Sequence, residues 1–202
     1  MTGKAFIIGS GGFVGSAVSR LLAAEGFQVS GLARSEQAAA ALKAAGYGAE
    51  EGDLHNAENL ARIADRYDVT VFTPAIQFDE EVPAMVPMLE RYAGSGRVFI
   101  FTSGTGVLSI PSHNGEWREE TFAEDDPFTP VKWMAIRVET ENFVRSYARM
   151  GVRAMVIRPP LIWGHGGSYQ IPGIFDSVRK TGSACYVGRV ESVLLGKFHY
   201  HL

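Results

Sequence analysis

The amino-acid sequence predicts an α/β fold, a doubly wound parallel sheet with helices on both faces. Two observations predict it. Short apolar runs alternate with longer amphipathic ones along most of the chain, and the connections between them are mostly short. The first of the short runs, Ala5–Gly9, is apolar throughout and ends in glycine, as suits a parallel strand buried on both faces. Parallel strands need crossover connections, and a helix supplies each crossover.

The elements follow in order. After the strand Ala5–Gly9 comes a helix, Val14–Ala24, with Val14, Val18, Leu21 and Leu22 on one side. Gln28–Ala33 reads as the second strand, and Ser35–Ala45 as an alanine-rich helix capped by Ser35. A short strand near Gly48–Gly52 precedes a helix at Asn56–Tyr67, capped by Asn56. Strand Val69–Thr73, helix Asp79–Ala93, strand Arg97–Thr102, helix Val131–Met150 and strand Val152–Ile157 complete the alternation. The one long irregular segment is 107–129, rich in Pro, Gly, Ser and acids. Ordered loops of this length are usually lids or binding loops, so it is expected to contribute to a substrate site.

Bulk properties narrow the function classes. A chain of 202 residues is long enough for one α/β domain with a sizeable core, and 46% hydrophobic with 20% charged residues is ordinary for a soluble protein. A net charge of −3 gives no reason to expect nucleic acid or a membrane surface as partner. Cys185 is the only cysteine, so an internal disulfide and a thiolate zinc cluster are excluded. Met1 to Lys4 lead straight into the first strand with no signal-peptide pattern, and no apolar run approaches the ~20 residues of a membrane span. The expected location is the reducing cytoplasm.

The sharpest motif is Gly9-Ser10-Gly11-Gly12-Phe13-Val14-Gly15, between the first strand and the first helix. Gly9 permits the tight turn, Gly12 lets backbone approach a pyrophosphate, and Gly15 lets the helix pack closely on the sheet. Phosphates then meet unpaired N–H groups at the positive end of the helix. This is the arrangement of a Rossmann-type dinucleotide site, expected to occupy residues 1–160.

The Gly-x-x-Gly-x-x-Gly spacing resembles the short-chain dehydrogenase/reductase superfamily, in its extended or atypical branch that includes the NAD-dependent epimerase/dehydratases. Further matches fall in order: Gly52-Asp53-Leu54, Thr73-Pro74-Ala75, Phe101-Thr102-Ser103-Gly104, and Arg158-Pro159-Pro160-Leu161-Ile162-Trp163-Gly164. The resemblance implies that Asp53 and Leu54 border the adenine, with Thr73, Pro74 and Ala75 on its far side. It also implies that Thr102 and Pro159 meet the cofactor further along. Locally, Asp53 also reads as a turn cap, and Thr73–Ala75 as a plain strand end.

The end of the second strand decides between the two dinucleotides. An acidic residue there would accept from a ribose 2′-OH, whereas an arginine accommodates a 2′-phosphate. The chain reads Gly31-Leu32-Ala33-Arg34-Ser35, with no acid on the strand. Arg34 and Ser35 therefore favour NADP over NAD, although Arg34 also reads as a solvated surface residue.

The catalytic residues implied by the resemblance are a Tyr-x-x-x-Lys pair on one helix and a Ser or Thr after the fifth strand. The lysine lowers the phenol pKa, so that tyrosine exchanges a proton with the substrate. Here Trp133 and Arg137 stand at those positions when the helix is aligned through Glu141. No tyrosine in the chain has a lysine four residues on. Indole is not an acid near neutral pH, whereas Arg137 would still hold ribose hydroxyls. Gly104 aligns with the catalytic hydroxyl, and Ser103 and Thr105 flank it as substitutes, although Thr102 and Ser103 equally read as the plain end of the strand. Trp133 also reads as an extension of a core stripe through Ile136, Phe143 and Tyr147. Loop groups His113, Glu116, Glu124, Asp125 and Asp126 are either a replacement acid or solvated charges.

Residues 161–202 look like the start of a substrate domain in a chain shortened at its C-terminus, with a helix near Ile174–Lys180. Ile162, Trp163, Ile171, Ile174 and Phe175 are then short of cover, and self-association is expected. His199 and His201 lack a third metal ligand and read as tail residues. Two functions compete. One is an NADP-dependent oxidoreductase or epimerase acting on a small carbonyl or sugar-like molecule. The other is a non-catalytic NADP-binding sensor or regulatory protein.

Overall fold

The computed structural model describes residues 3–111, 118–164, 167–168 and 171–183. One parallel sheet contains β1 (Lys4–Ile8), β2 (Gln28–Ala33), β3 (Gly48–Glu51), β4 (Val69–Phe72), β5 (Val98–Thr102) and β6 (Arg153–Ile157). Its order is β3-β2-β1-β4-β5-β6. The chain winds outward from β1 in one direction and from β4 in the other, so the order reverses between these two strands. A crevice opens beyond the carboxyl ends of the strands at such a reversal. Helices α1 (Phe13–Ala24), α2 (Glu36–Ala44), α3 (Ala57–Ala64), α4 (Phe78–Tyr92) and α5 (Ala135–Ser146) connect the strands. A hairpin of β7 (Trp163–Gly164) and β8 (Gly167–Ser168) and a last helix, α6 (Ile171–Thr181), follow.

Strand alternation divides the core into two layers of unequal weight. Phe6, Ile8, Phe72, Phe99 and Phe101 pack with Leu60 of α3, Met85, Met88, Leu89 and Tyr92 of α4, and Val144 of α5. Ala5, Ile7, Val29 and Val71 form a thinner cluster with Val18 and Leu22 of α1. Both predicted caps form: Ser35 Oγ accepts from Ala38 N at 3.2 Å, and Asn56 Oδ1 accepts from Asn59 N at 3.1 Å.

Two helical faces differ from the sequence reading. On α1 the fully buried residues are Gly15 and Ser19, whereas Leu21 is 62% exposed. The small residues let backbone approach backbone, which rotates Leu21 off the contact. On α5 the buried positions are Thr140, Glu141 and Val144, continued by Tyr147, with Ile136 and Trp133 both exposed. Trp133 therefore does not extend the core. It lies in a single 3-10 turn, Lys132–Met134, ahead of the helix proper. The inner face of α5 carries charge because it meets two buried ion pairs, described below.

The described part of the long loop is tied down at Phe128, whose ring packs on Phe122 and lies under the Arg158 guanidinium. No helix among the described residues is long and apolar enough to cross a membrane.

Candidate functional site

A cleft of about 1160 Å³ runs across the carboxyl ends of β1, β2, β4 and β5, at the reversal point. Its floor is the turn from β1 into α1. Gly9 has φ +95°, and a side chain there would strike the Thr73 carbonyl oxygen at 2.5 Å. A Cβ at Gly15 would lie 2.1 Å from Gly9 O, so the first turn of α1 rests directly on the turn. Gly15 thus acts from beneath and does not line the cleft. Gly11 has no atom within 4 Å of its would-be Cβ, and Gly12 meets only Gly9 O. Both face the opening. The N–H of Gly12 is bonded to Gly9 O, and the first amide bonded within α1 is that of Ser16. The amides of Phe13, Val14 and Gly15 are therefore the orphan donors of a helix start, and Phe13 and Val14 line the cleft.

At one end stand Leu32, Arg34, Ser35 and Ala38 from the β2–α2 junction, with Leu54 and His55 opposite. Arg34 is exposed and makes no ion pair with any described residue. Ser35 accepts a capping bond, which leaves its hydroxyl proton for a ligand. Thr73, Pro74, Ala75 and Ile76 form the wall beside β4. At the other end are Thr102, Ser103, Gly104 and Pro159 through Ile162. The β7–β8 hairpin comes over the top: Gly167 and Ser168 line the cleft, and a Cβ on Gly167 would lie 2.6 Å from the Phe13 ring.

Several expected residues have other surroundings. Ser10 is 4% exposed, with Oγ turned toward Gly31 and without a hydrogen-bond partner, so its side chain does not enter the cleft. Asp53 is exposed and acts as a turn cap, Oδ1 accepting from His55 N at 2.8 Å. Thr105 is exposed at the start of a 3-10 turn, its N–H bonded to Pro159 O at 3.0 Å. Trp133 is 64% exposed and outside the cleft lining. Glu124, Asp125 and Asp126 are exposed loop residues away from the cleft. His113, Glu116, Cys185, His199 and His201 lie outside the described residues, and no metal-binding group of three is found among those that are described.

Arg137 departs furthest from expectation. Its guanidinium does not line the cleft but sits behind Ser103, tied to the protein on every side. It forms an ion pair with Glu81, donates to Thr102 O at 2.9 Å and to Ser103 Oγ at 3.4 Å, and stacks on the rings of Phe78 and Phe101. Ribose hydroxyls are replaced by protein partners. Burial pushes the Glu81 carboxyl up to about 7, against the pull of Arg137. A second pair lies one turn along α5, where Arg158 grips the fully buried Glu141, with Nε 3.1 Å from each oxygen.

His55, Ile76, Leu161, Ile162, Gly167 and Ser168 were not singled out from sequence as cleft-lining residues. Leu161 and Ile162 follow the matched Arg158-Pro159-Pro160 run, which was the available signal. Gly167 and Ser168, read from sequence only as part of the start of a substrate domain, reach the cleft through the hairpin.

The sequence model of the NAD dependent epimerase/dehydratase family matches residues 5–188. An uncharacterized protein of Saccharomyces cerevisiae is 32% identical over 199 residues, covering 92% of this chain and 63% of the yeast protein. The chain thus spans under two thirds of that relative. Among solved structures, UDP-glucose 4-epimerase from Brucella ovis in complex with NAD superposes with a TM-score of 0.62 at 17% identity, over 78% of this chain and 51% of the epimerase. Yeast methylglyoxal/isovaleraldehyde reductase complexed with NADPH gives 0.60 at 16%, over 80% and 55%. These two show a shared fold.

Proposed function

Because the chain belongs to the NAD dependent epimerase/dehydratase family, we propose that it binds NADP in this cleft. Its activity is then that of an NADP-dependent oxidoreductase or epimerase on a small carbonyl or sugar-like substrate, in the reducing cytoplasm. The observation that carries the reading is one continuous cleft with Arg34 at one end, the α1 amides in the middle and Ser103 at the other. Its volume exceeds the roughly 300–1,000 Å³ of ordinary ligand pockets, as an extended two-nucleotide ligand requires.

The residues fit such a ligand. The bare backbone at Gly11 and Gly12 admits a pyrophosphate against the Phe13 and Val14 amides. Leu32, Ala38 and Leu54 offer an apolar seat for adenine opposite Thr73–Ala75, and Arg34 with Ser35 reaches a 2′-phosphate. Thr102, Ser103 and Pro159 receive the nicotinamide half. When bound, the dinucleotide supplies hydride transfer. The chain's own task is to orient it, to seat substrate beside Ser103 and Pro160–Ile162, and to offer the Ser103 hydroxyl as a hydrogen-bond donor.

Fluorescence titration tests the cofactor assignment. A charge-assisted contact is worth about 1.5–3 kcal/mol, and an exposed guanidinium belongs at the low end of that range. Arg34→Ala should weaken NADPH by roughly tenfold and leave NADH nearly unchanged. Equal affinities for NADPH and NADH in the parent protein overturn the preference for NADP.

A further inference from the structure

Glu81 is a carboxylate 2% exposed in the first turn of α4, and the cleft as described above makes no use of it. It pairs with Arg137 and leaves its second oxygen, Oε2, without a partner. Arg137 is clamped between the rings of Phe78 and Phe101, 4.6 and 5.1 Å from their centroids. From there its Nε donates to Ser103 Oγ.

The direction of that last bond is fixed by chemistry. Arginine has no acceptor, so Ser103 must use a lone pair on it. A hydroxyl has one proton, and that proton then points away from Arg137. Ser103 Oγ has no acceptor among the described residues, and Ser103 lines the cleft. We propose that Glu81 is a positioning residue: through Arg137 it holds Ser103 as a donor into the cleft, toward an acceptor oxygen on the nicotinamide half of the bound dinucleotide. Glu141 cannot take over the role, because Arg158 already occupies both of its oxygens.

The proposal rests on the dinucleotide reading, and two probes keep the two separable. NADPH carries the nicotinamide half, whereas adenosine 2′,5′-bisphosphate lacks it. Affinities for both are measured in the parent, Glu81→Gln, Ser103→Ala and the double variant, with thermal melts to confirm folding. Each single change should weaken NADPH about fivefold, the value of one hydrogen bond. The double variant should be no weaker than either single, and the bisphosphate should bind all four proteins alike. A Glu81→Gln loss that persists in the Ser103→Ala background, or that falls equally on the bisphosphate, makes Glu81 merely structural and overturns the proposal. An unchanged NADPH affinity in Glu81→Gln also overturns it. If neither probe binds the parent, the dinucleotide reading itself fails. Should Glu81→Gln not fold, Phe78→Leu loosens the same guanidinium from its other side. It must then show the same pattern, with a smaller loss that disappears when Ser103 is alanine.

Discussion

Three glycines of the β1–α1 turn, changed one at a time, separate ligand space from helix seating. At Gly15 a methyl group would lie 2.1 Å from Gly9 O, 2.7 Å from Gly9 C and 3.0 Å from Ser10 Cα. All three are backbone atoms, so α1 itself must retreat, by about 1 Å or more to regain ordinary contact. With backbone atoms in the way, overpacking here falls in the upper part of the usual range, about 2–3 kcal/mol, offset by about 1 kcal/mol from alanine's better helix propensity. A net loss of about 1–2 kcal/mol in a chain of this length lowers Tm by roughly 3–6 °C. NADPH should weaken too, because the Phe13 and Val14 amides move with the helix. Gly12→Val behaves differently. The residue has φ −80° and ψ 172°, which valine adopts freely, and its Cβ meets only Gly9 O at 3.2 Å. The fold survives while the methyl groups occupy the place of the pyrophosphate. Two amide contacts to phosphate at about 1.5–3 kcal/mol each amount to a loss of roughly a hundredfold or more in affinity. Gly11→Ala, with no protein atom within 4 Å, should leave Tm at the parental value and weaken NADPH less than Gly12→Val does. Calorimetric titration with NADPH and thermal melts of the three variants decide the matter. A folded Gly12→Val protein with parental affinity, or Gly15→Ala with parental Tm, refutes the reasoning.

Other expectations concern pH, turnover and association. Burial raises Glu81 from 4.5 to about 7, so the folded protein holds this proton more tightly than the unfolded chain. Its contribution is full below about pH 4.5 and is lost as pH rises through about 7. In urea melts the stability of Glu81→Gln relative to the parent should therefore climb across that window; a flat difference rejects the linkage. Hydride transfer to simple aldehydes, quinones and nucleotide sugars should be slow, because Trp133 cannot give the proton that contributes about 10²–10⁴-fold. Brisk NADPH consumption by the parent, no better in a Gly104→Ser/Trp133→Tyr variant, would move the proton donor elsewhere. Gly104 is open to that change, since its backbone is extended and a Cβ meets only Pro159 O at 3.8 Å. Leu161, Trp163, Ile174 and Phe175 are each about half exposed or more, and self-association is expected. Light scattering that gives a clean monomer at high concentration would contradict it.

The six sheet strands and five connecting helices were legible because each is a local signal, a short apolar run or a helical 3.6-residue pattern, some of them marked by a cap or a glycine. The floor of the cleft was legible for the same reason, since Gly9, Gly12 and Gly15 act within one turn. The place of Arg34 at one end of the cleft needed only its position after β2. What stayed hidden depends on partners remote in the chain. Arg137 reads as a free cation on a helix until α4 brings Glu81, 56 residues earlier, against it. The charged inner face of α5 broke the apolar-stripe rule for the same reason, because buried Glu141 is answered by Arg158, just past the end of β6. The β7–β8 hairpin is two residues per strand, too short for any periodicity, and its position over Phe13 is a tertiary fact.

The glycine and serine face of α1 has a bearing on motion. Only Gly15 and Ser19 are fully buried on that helix, against six residues on α4. Few buried apolar contacts mean a small local opening free energy, so the amides of α1 should exchange with deuterium well before those of α4. The same helix carries the N–H groups proposed to meet the phosphates. An occupant of the cleft therefore stabilises a helix with few buried apolar contacts of its own, and the largest protection on binding should appear at Ser16–Ala24, beyond the residues the ligand touches.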